Sequence, residues 1–240
     1  MTCFPEGLFM AKNKDKEVQL TASEKMTQSV DSWLGRHIKL IASIVIAVVA
    51  VIVIAAIVTV VVNNNQSKRY EKLDAVTASY AEFSAMDGDA EGYAEAKNNV
   101  IAGAEELAKN PKNYPGAKAN LILADMAFDD GDYNKAIELY SLVASSQTKT
   151  FLREVALMSL AASYEENGDK AAALKVYNDF FDEYDTESFY SSRALFNAAR
   201  LTEETDKALA ISIYEQLIAY FESYNSEYAK LAKSRVAQLN

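Results

Sequence analysis

An uninterrupted apolar run from Leu40 to Val62 constrains this chain more than any other feature. Its 23 residues are Leu, Ile, Val, Ala, Ser and Thr, without a charge, a glycine or a proline. About 20 apolar residues match the roughly 30 Å hydrocarbon core of a bilayer, where a helix satisfies its own backbone hydrogen bonds. A buried strand ends after about 4–8 residues, and a signal-peptide core after about 7–15. The run therefore predicts a retained transmembrane helix over residues 37–62.

The two flanks of this helix differ in length and in charge. Residues 1–39 carry six basic and five acidic residues, whereas residues 63–240 carry 18 basic and 29 acidic ones. Two basic residues just before the apolar run oppose three just after it, so their bias on orientation is weak. Large domains are translocated largely regardless of charge, and the N-terminal flank is too short to fold alone. We therefore expect a cytoplasmic N-terminus and an exported C-terminal domain.

Self-comparison of the C-terminal part shows a period of 37 residues. A turn, a small residue and an aromatic residue recur in phase in three copies, 130–140, 167–177 and 204–214. Glycine occupies the turn in the first two copies, and Thr205 replaces it in the last. The positions expected to hold the repeats together are Gly131, Ala136, Tyr140, Gly168, Ala173, Tyr177, Ala210 and Tyr214.

This pattern resembles the tetratricopeptide repeat family, in which glycine permits the tight turn, a small residue lets two helices approach, and an aromatic residue fills the gap. The resemblance implies an all-α fold: an α-solenoid of about three to four helical hairpins behind the transmembrane helix, closed by a cap helix over Tyr228–Leu239. The period exceeds the usual 34 residues, and no proline closes a repeat. An upstream copy is degenerate, with Asn99 at the small-residue position.

These features divide the chain into four parts. Residues 1–36 are polar and of mixed charge, which predicts a flexible cytoplasmic tail, and residues 37–62 form the span. Residues 63–110 predict a helical linker with the degenerate first repeat. Residues 111–240 contain the three in-phase repeats and the cap helix.

The resemblance also implies which residues would contact a partner. In this family the first helix of each pair lines a concave groove, and the matching positions are mostly apolar, which suits an apolar or amphipathic segment of another polypeptide. The alternative is that Leu121, Met158 and Leu195 pack between neighbouring repeats. The twelve predicted groove positions are Lys118, Leu121, Asp125, Phe128, Val155, Met158, Ala162, Glu165, Ser192, Leu195, Ala199 and Thr202.

Side chains that commonly act in catalysis or bind metals are sparse in this sequence. No His or Cys follows residue 37, so zinc ligation of the usual type and His- or Cys-based nucleophiles lack their side chains. Carboxylate pairs lie at helix ends, where acidic residues cap helices. The acidic C-terminal part repels nucleic acid. We predict no enzymatic activity, no cofactor, no metal and no nucleic-acid partner.

The order of short tail, single anchor and repeat domain resembles bacterial envelope proteins, in particular the ancillary SecYEG translocon subunit (YfgM-like family). The resemblance implies a single-pass inner-membrane protein with a periplasmic repeat domain, held in the lipid bilayer by residues 40–62. It would act as a scaffold that binds membrane or exported polypeptides in envelope protein export or assembly. Two alternatives remain open: a self-associating homo-oligomeric component of a larger membrane machine, such as a motor or secretion apparatus, or a cytosol-facing repeat receptor if the topology is reversed.

Overall fold

The structure, a computed structural model, describes residues 21–147 and 150–240. Within these residues every regular element is helical, which confirms the all-α fold class. A single 3₁₀ turn, Glu222–Tyr224, precedes the last helix. The helices are α1 Ala22–Ser84, α2 Tyr93–Ala108, α3 Tyr114–Asp129, α4 Tyr133–Ser146, α5 Phe151–Glu166, α6 Lys170–Tyr184, α7 Ser191–Thr202, α8 Lys207–Phe221 and α9 Glu227–Leu239.

The chain divides into two units between Asn63 and Asn64, and α1 contributes residues to both. In the first unit the helix already begins at Ala22, so residues 22–36, which were expected to belong to a flexible tail, are helical. A helix that is nucleated in the apolar run extends at little further cost, which accounts for this difference. The remainder of the expected tail, with Cys3, lies outside the described residues.

The apolar run is almost entirely exposed in the structure. Its large side chains, such as Ile46 and Val60, contact no core. Among the described residues, one helix is long and apolar enough to cross a membrane, and it lies within α1. This part of α1 is therefore a candidate membrane span.

The second unit is a series of helical pairs. The first pair consists of the C-terminal part of α1 with α2; α3 with α4, α5 with α6, and α7 with α8 form the second, third and fourth pairs, and α9 follows. Four apolar clusters lie in series, and the buried residues of each come from three consecutive helices. As a result, α3, α5 and α7 each contribute side chains to two neighbouring clusters. This arrangement is that of a helical repeat array.

The turns within the pairs use two designs. In the second and third pairs, Gly131 and Gly168 have φ angles of 76° and 82°, which a glycine adopts without the steric cost of a Cβ. In the fourth pair the backbone N–H groups of Thr205 and Asp206 both donate to the carbonyl of Thr202, and no residue has a positive φ. The turn of the fourth pair therefore closes without a glycine.

The second helix of each of these pairs starts at an aspartate. Asp132, Asp169 and Asp206 each accept a hydrogen bond from the backbone N–H three residues later, at 3.1, 3.0 and 2.9 Å. Such a side chain satisfies one of the free N–H groups at a helix start. The three aspartates share the 37-residue period, so one capping design is repeated along the array.

The first pair keeps the repeat pattern in a shifted register. Helix α2 begins at Tyr93 and α4 at Tyr133, forty residues later rather than 37. The fourth and eighth positions of α2 are therefore Ala96 and Val100, and Asn99 is exposed. Helix α2 instead packs tightly against α1 at Gly103, where an added Cβ would lie 2.8 Å from the Val76 side chain. The expectation that Asn99 takes the small-residue position is corrected accordingly.

Candidate protein-interaction site

Of the twelve positions predicted to line a groove, a first group of six is buried and a second group of six is half-buried. Three members of the first group, Leu121, Met158 and Leu195, are core residues of three different clusters. For these three the packing alternative describes the structure, and their side chains are not available to a partner. The buried group is Leu121, Met158, Ser192, Leu195, Ala199 and Thr202. The half-buried group is Lys118, Asp125, Phe128, Val155, Ala162 and Glu165.

Of the residues expected to hold the repeats together, the alanines and tyrosines are buried, whereas Gly131 and Gly168 are exposed in their turns. The alanines Ala136, Ala173 and Ala210 are fully buried, and the aromatic residues Tyr140, Tyr177 and Tyr214 are at most 2% exposed. A side chain larger than alanine at the small-residue position has no free volume to enter. The three tyrosines, together with Ala136 and Ala173, belong to the three later clusters.

Each buried tyrosine donates its hydroxyl to a carboxylate of the same helical pair. Tyr140 donates to Asp125 at 2.5 Å, and Tyr177 donates to Glu165 at 2.9 Å. Tyr214 donates to Glu203, directly after α7, at 2.6 Å. A buried hydroxyl needs such a partner, so the repeated aromatic position requires an acidic residue near the end of the preceding helix.

In the third and fourth pairs an arginine from a helix that follows the pair completes this contact. Arg200 of α7 donates to Glu165 at 2.5 Å. Arg235 of α9 binds Glu203 through two guanidinium nitrogens, with Nε at 3.1 Å. Hydrogen bonds from Arg235 hold the pKa of Glu203 below its usual value. These carboxylates are therefore neutralised within the array: Glu165 links the third pair to the fourth, and Glu203 links the fourth pair to α9.

The second pair lacks the arginine. Among the described residues, no basic side chain lies within ion-pair distance of Asp125. Burial raises the pKa of Asp125, although the hydrogen bond from Tyr140 and the more distant charge of Lys118 oppose this shift. A half-buried carboxylate without a counter-ion gains most from a cationic group brought by another molecule.

Apolar side chains lie on the same helix and on its neighbour. Phe128, almost one helical turn after Asp125, is half-buried, and its ring lies 5.4 Å from that of Tyr133 in an edge-to-face contact. Val155 of α5 packs against the same cluster as Phe128. The six half-buried positions thus combine apolar surface with an uncompensated carboxylate at Asp125.

Sequence reasoning missed the arginines and could have found the capping aspartates. Arg200 follows Glu165 by 35 residues, whereas Arg235 follows Glu203 by 32, so no fixed spacing in the sequence marks the arginine–glutamate contacts. The aspartates before α4, α6 and α8 recur at 37 residues like the alanines, and this period was a usable signal. Within the described residues, no three His, Cys, Asp or Glu side chains form a group that could hold a metal ion.

The fold and the series of shared clusters define an α-helical repeat protein, a class whose members typically act as non-catalytic interaction modules. A family model described as a tetratricopeptide repeat-like domain matches residues 41–178. The match covers more than half of the chain, which therefore belongs to this family. No curated protein and no solved structure matched the chain.

Proposed function

We propose that this chain is a membrane-tethered interaction protein whose repeat array binds other polypeptides in envelope protein export or assembly. Two observations support the tether: the exposed apolar run in α1, and a family match that starts at residue 41, inside that run. The layout shared with the ancillary SecYEG translocon subunit supports the envelope role. The orientation that we propose is a cytoplasmic N-terminus with the repeats in the periplasm.

The binding face that we propose consists of the six half-buried positions on α3 and α5. Its decisive feature is Asp125, a carboxylate that no described basic side chain approaches within ion-pair distance. Phe128 of α3 and Val155 of α5 supply apolar surface, and both pack against the cluster that these two helices share. A matching partner segment would be amphipathic and would carry a Lys or Arg next to its apolar side chains.

Site-specific photocrosslinking in intact cells tests this face with the full chain. A photoreactive residue at Phe128 or Val155 is expected to trap a membrane or exported polypeptide. The matched control position is Leu142 on α4, which is 39% exposed and lies outside the proposed face. Crosslinks of equal yield from Leu142, or none from the two test positions, would contradict the assignment.

Charge variants at Asp125 make the same experiment specific. Asp125→Asn keeps a hydrogen-bond acceptor for Tyr140 but removes the negative charge, so capture at Phe128 is expected to weaken. Lys118→Gln removes a neighbouring positive charge and is expected to leave capture unchanged or to strengthen it. If both variants reduce capture equally, the partner does not recognise the carboxylate.

Protease treatment of spheroplasts tests the tether and its orientation. With the repeats in the periplasm, added protease should degrade residues 63–240 while a tag on the N-terminus stays protected. Protection of the repeats would instead support the cytosol-facing receptor. Release of the full chain from membranes by carbonate would contradict the tether itself.

Self-association is the second candidate function. It is favoured by an aromatic depression of about 560 Å³ between the α6–α7 loop and the segment from α8 to α9. Two of its aromatic side chains, Phe189 and Tyr224, are 87% and 76% exposed, and exposed apolar surface of this kind marks contact sites. Light scattering of the full chain in detergent should show an oligomer that Phe189→Ser disrupts if this function is correct.

A further inference from the structure

The first helical pair carries a basic depression at the end where α2 finishes. It has a volume of about 570 Å³ and is lined by the start of the second unit and by the α2–α3 linker. Four cationic side chains line it, and one acidic side chain, Glu106, accompanies them. The cationic side chains are Lys68, Arg69, Lys72 and Lys109.

This concentration of positive charge contrasts with its surroundings. Residues 63–240 contain 18 basic and 29 acidic residues, so an average depression in this domain would be acidic. The opposite end of the same pair is acidic, because the loop between α1 and α2 contains Asp87, Asp89 and Glu91. The first pair is therefore electrostatically bipolar along its length.

Most of the positive charge in the depression is not used by the protein. Lys72 forms an ion pair with Glu106 at 2.5 Å, and this contact lowers the pKa of Glu106. Among the described residues, Lys68, Arg69 and Lys109 form no ion pair within 4.0 Å. Three cations thus face solvent around a cavity large enough for a phosphate diester and its glycerol.

Two tyrosines mark the same end of the pair. Tyr70 follows Arg69, and Tyr114 opens α3 just after the α2–α3 linker; their rings are stacked with centroids 6.2 Å apart. Both remain 43–48% exposed. Tyrosine is enriched at membrane–water interfaces, where its ring sits at the depth of the headgroups. The aromatic pair and the basic depression therefore favour the same environment.

Chain length limits how far this end can lie from the bilayer if the apolar run spans one. Lys68 follows Val62, the last residue of the apolar run, by six residues, which span at most about 20 Å. Polar headgroups extend about 5–8 Å beyond the hydrocarbon core on each side, and long basic side chains reach several ångströms further. The cations can therefore contact headgroup phosphates if the run spans a membrane.

We propose that this depression is a binding site for the phosphate headgroups of anionic phospholipids in the membrane that holds the chain. The inference rests on the proposed membrane tether but is independent of its orientation and of the partner-binding face. Arg69 can bind two phosphate oxygens at once, and the lysines act as point charges. Occupation of the site would dock the first pair on the bilayer surface.

Lysine footprinting of the full chain in lipid nanodiscs tests the proposal. The chain is inserted into discs of phosphatidylcholine alone or of phosphatidylcholine with phosphatidylglycerol, and acetylation rates are read by mass spectrometry. We expect acetylation of Lys68 and Lys109 to be slowed severalfold by phosphatidylglycerol. The exposed Lys207 and Lys230 serve as internal controls and should react equally in both discs. Equal rates at Lys68 and Lys109 would overturn the proposal.

Charge variants test whether the cations of the depression cause the protection. Lys68→Glu combined with Arg69→Glu should abolish the protection of Lys109, whereas the control Lys207→Glu combined with Lys230→Glu, with the same change in net charge, should preserve it. Glu106→Gln removes the competing carboxylate and should increase the protection. The result would be overturned if the control abolished protection as fully as the test pair.

A third arm separates the source of the phosphate. Inorganic phosphate added to phosphatidylcholine discs should give no comparable protection, because it lacks the bilayer that holds the headgroups in place. Protection by phosphate alone would show a site for a soluble anion and overturn the lipid assignment. Failure of the chain to enter either disc would refute the tether, which is a different result from insertion without protection.

Discussion

The second helical pair differs from the third and fourth in one side chain that is missing. All three pairs bury a tyrosine that donates to a carboxylate of its own pair, at 2.5–2.9 Å. Among the described residues, an arginine joins this contact only in the third pair, through Arg200 of α7, and in the fourth, through Arg235 of α9. The comparison separates two roles of one polar contact: satisfying a buried hydroxyl, and linking neighbours through charge.

The consequence for function lies in the pair that lacks the link. The carboxylates of Glu165 and Glu203 are committed to arginines of the array, whereas Asp125 retains a charge that burial makes unfavourable. A buried or half-buried charge without its partner costs stability and is a frequent mark of a binding position. The following variants test whether the pairs differ in this way.

The largest loss of stability is expected on removal of the buried tyrosine that the second, third and fourth pairs share. Tyr177→Ala removes a fully buried aromatic ring and leaves a cavity in the third cluster, which should lower the free energy of unfolding by about 3–5 kcal/mol. Chemical denaturation of the chain in detergent, followed by circular dichroism, measures this. Tyr220→Ala, at a 43% exposed site, is the control and should cost below about 1 kcal/mol.

Loss of the charge link comes next. Glu203→Gln keeps an acceptor for Tyr214 but removes the charge that binds Arg235, and it should destabilise the chain by about 1–2 kcal/mol at pH 7. The loss should shrink as the pH falls below 4.5, the ordinary pKa of a glutamate. The reason is that a carboxylate with a lowered folded pKa stabilises the fold above its unfolded pKa and loses this contribution on protonation. A pH-independent loss would contradict the charge link.

The turns of the third and fourth pairs are expected to differ in how much stability an alanine costs. Gly168→Ala places a Cβ at a φ of 82° and should cost about 1 kcal/mol. Thr205→Ala, at the corresponding turn of the fourth pair, needs no positive φ and should cost less. Gly88→Ala is a matched control because nothing lies within 4 Å of its added Cβ and its φ is ordinary; it should be neutral or slightly stabilising. Thermal unfolding of the three variants ranks them.

The smallest effect, with the opposite sign, is expected at Asp125. Asp125→Asn removes an uncompensated charge and should leave stability unchanged or raise it by less than about 1 kcal/mol at pH 7. Because the folded pKa of Asp125 is raised, this carboxyl gains a proton in the folded chain first as the pH falls toward 3.8. The benefit of the variant should therefore fade over that range. Denaturation at pH 7 and pH 4 compares the two carboxyl variants, and a clear loss for Asp125→Asn at pH 7 would remove the distinction between the pairs.

The parts of the fold that follow a period could be predicted from the sequence. The 37-residue spacing of alanine and tyrosine positions indicated the helical pairs, and the structure confirms the all-α class. The register of the first pair could not be predicted in this way, because α2 and α4 begin 40 residues apart rather than 37. The tight contact between α1 and α2 lies at Gly103. A comparison at one fixed period cannot register such a shift, since the packing requires a small residue only where the helices approach.

The site was less predictable for a different physical reason. Half of the twelve positions assigned to a groove are buried, because α3, α5 and α7 each serve two clusters and have little surface left. Sequence periodicity predicts where a residue lies on its own helix. Whether its side chain is buried depends also on the neighbouring helices that pack against it. The arginines that neutralise Glu165 and Glu203 come from such neighbours, so the exception at Asp125 was visible only in three dimensions.

The four clusters in series also affect how the array can come apart. The apolar core of the second unit is divided into four clusters, and the buried residues of each come from three consecutive helices. Opening can therefore begin at α9 and advance one pair at a time, as melting spreads along a linear chain of units. A pull on α9 would then be absorbed in steps, while the pair that follows the apolar run stays closed longest.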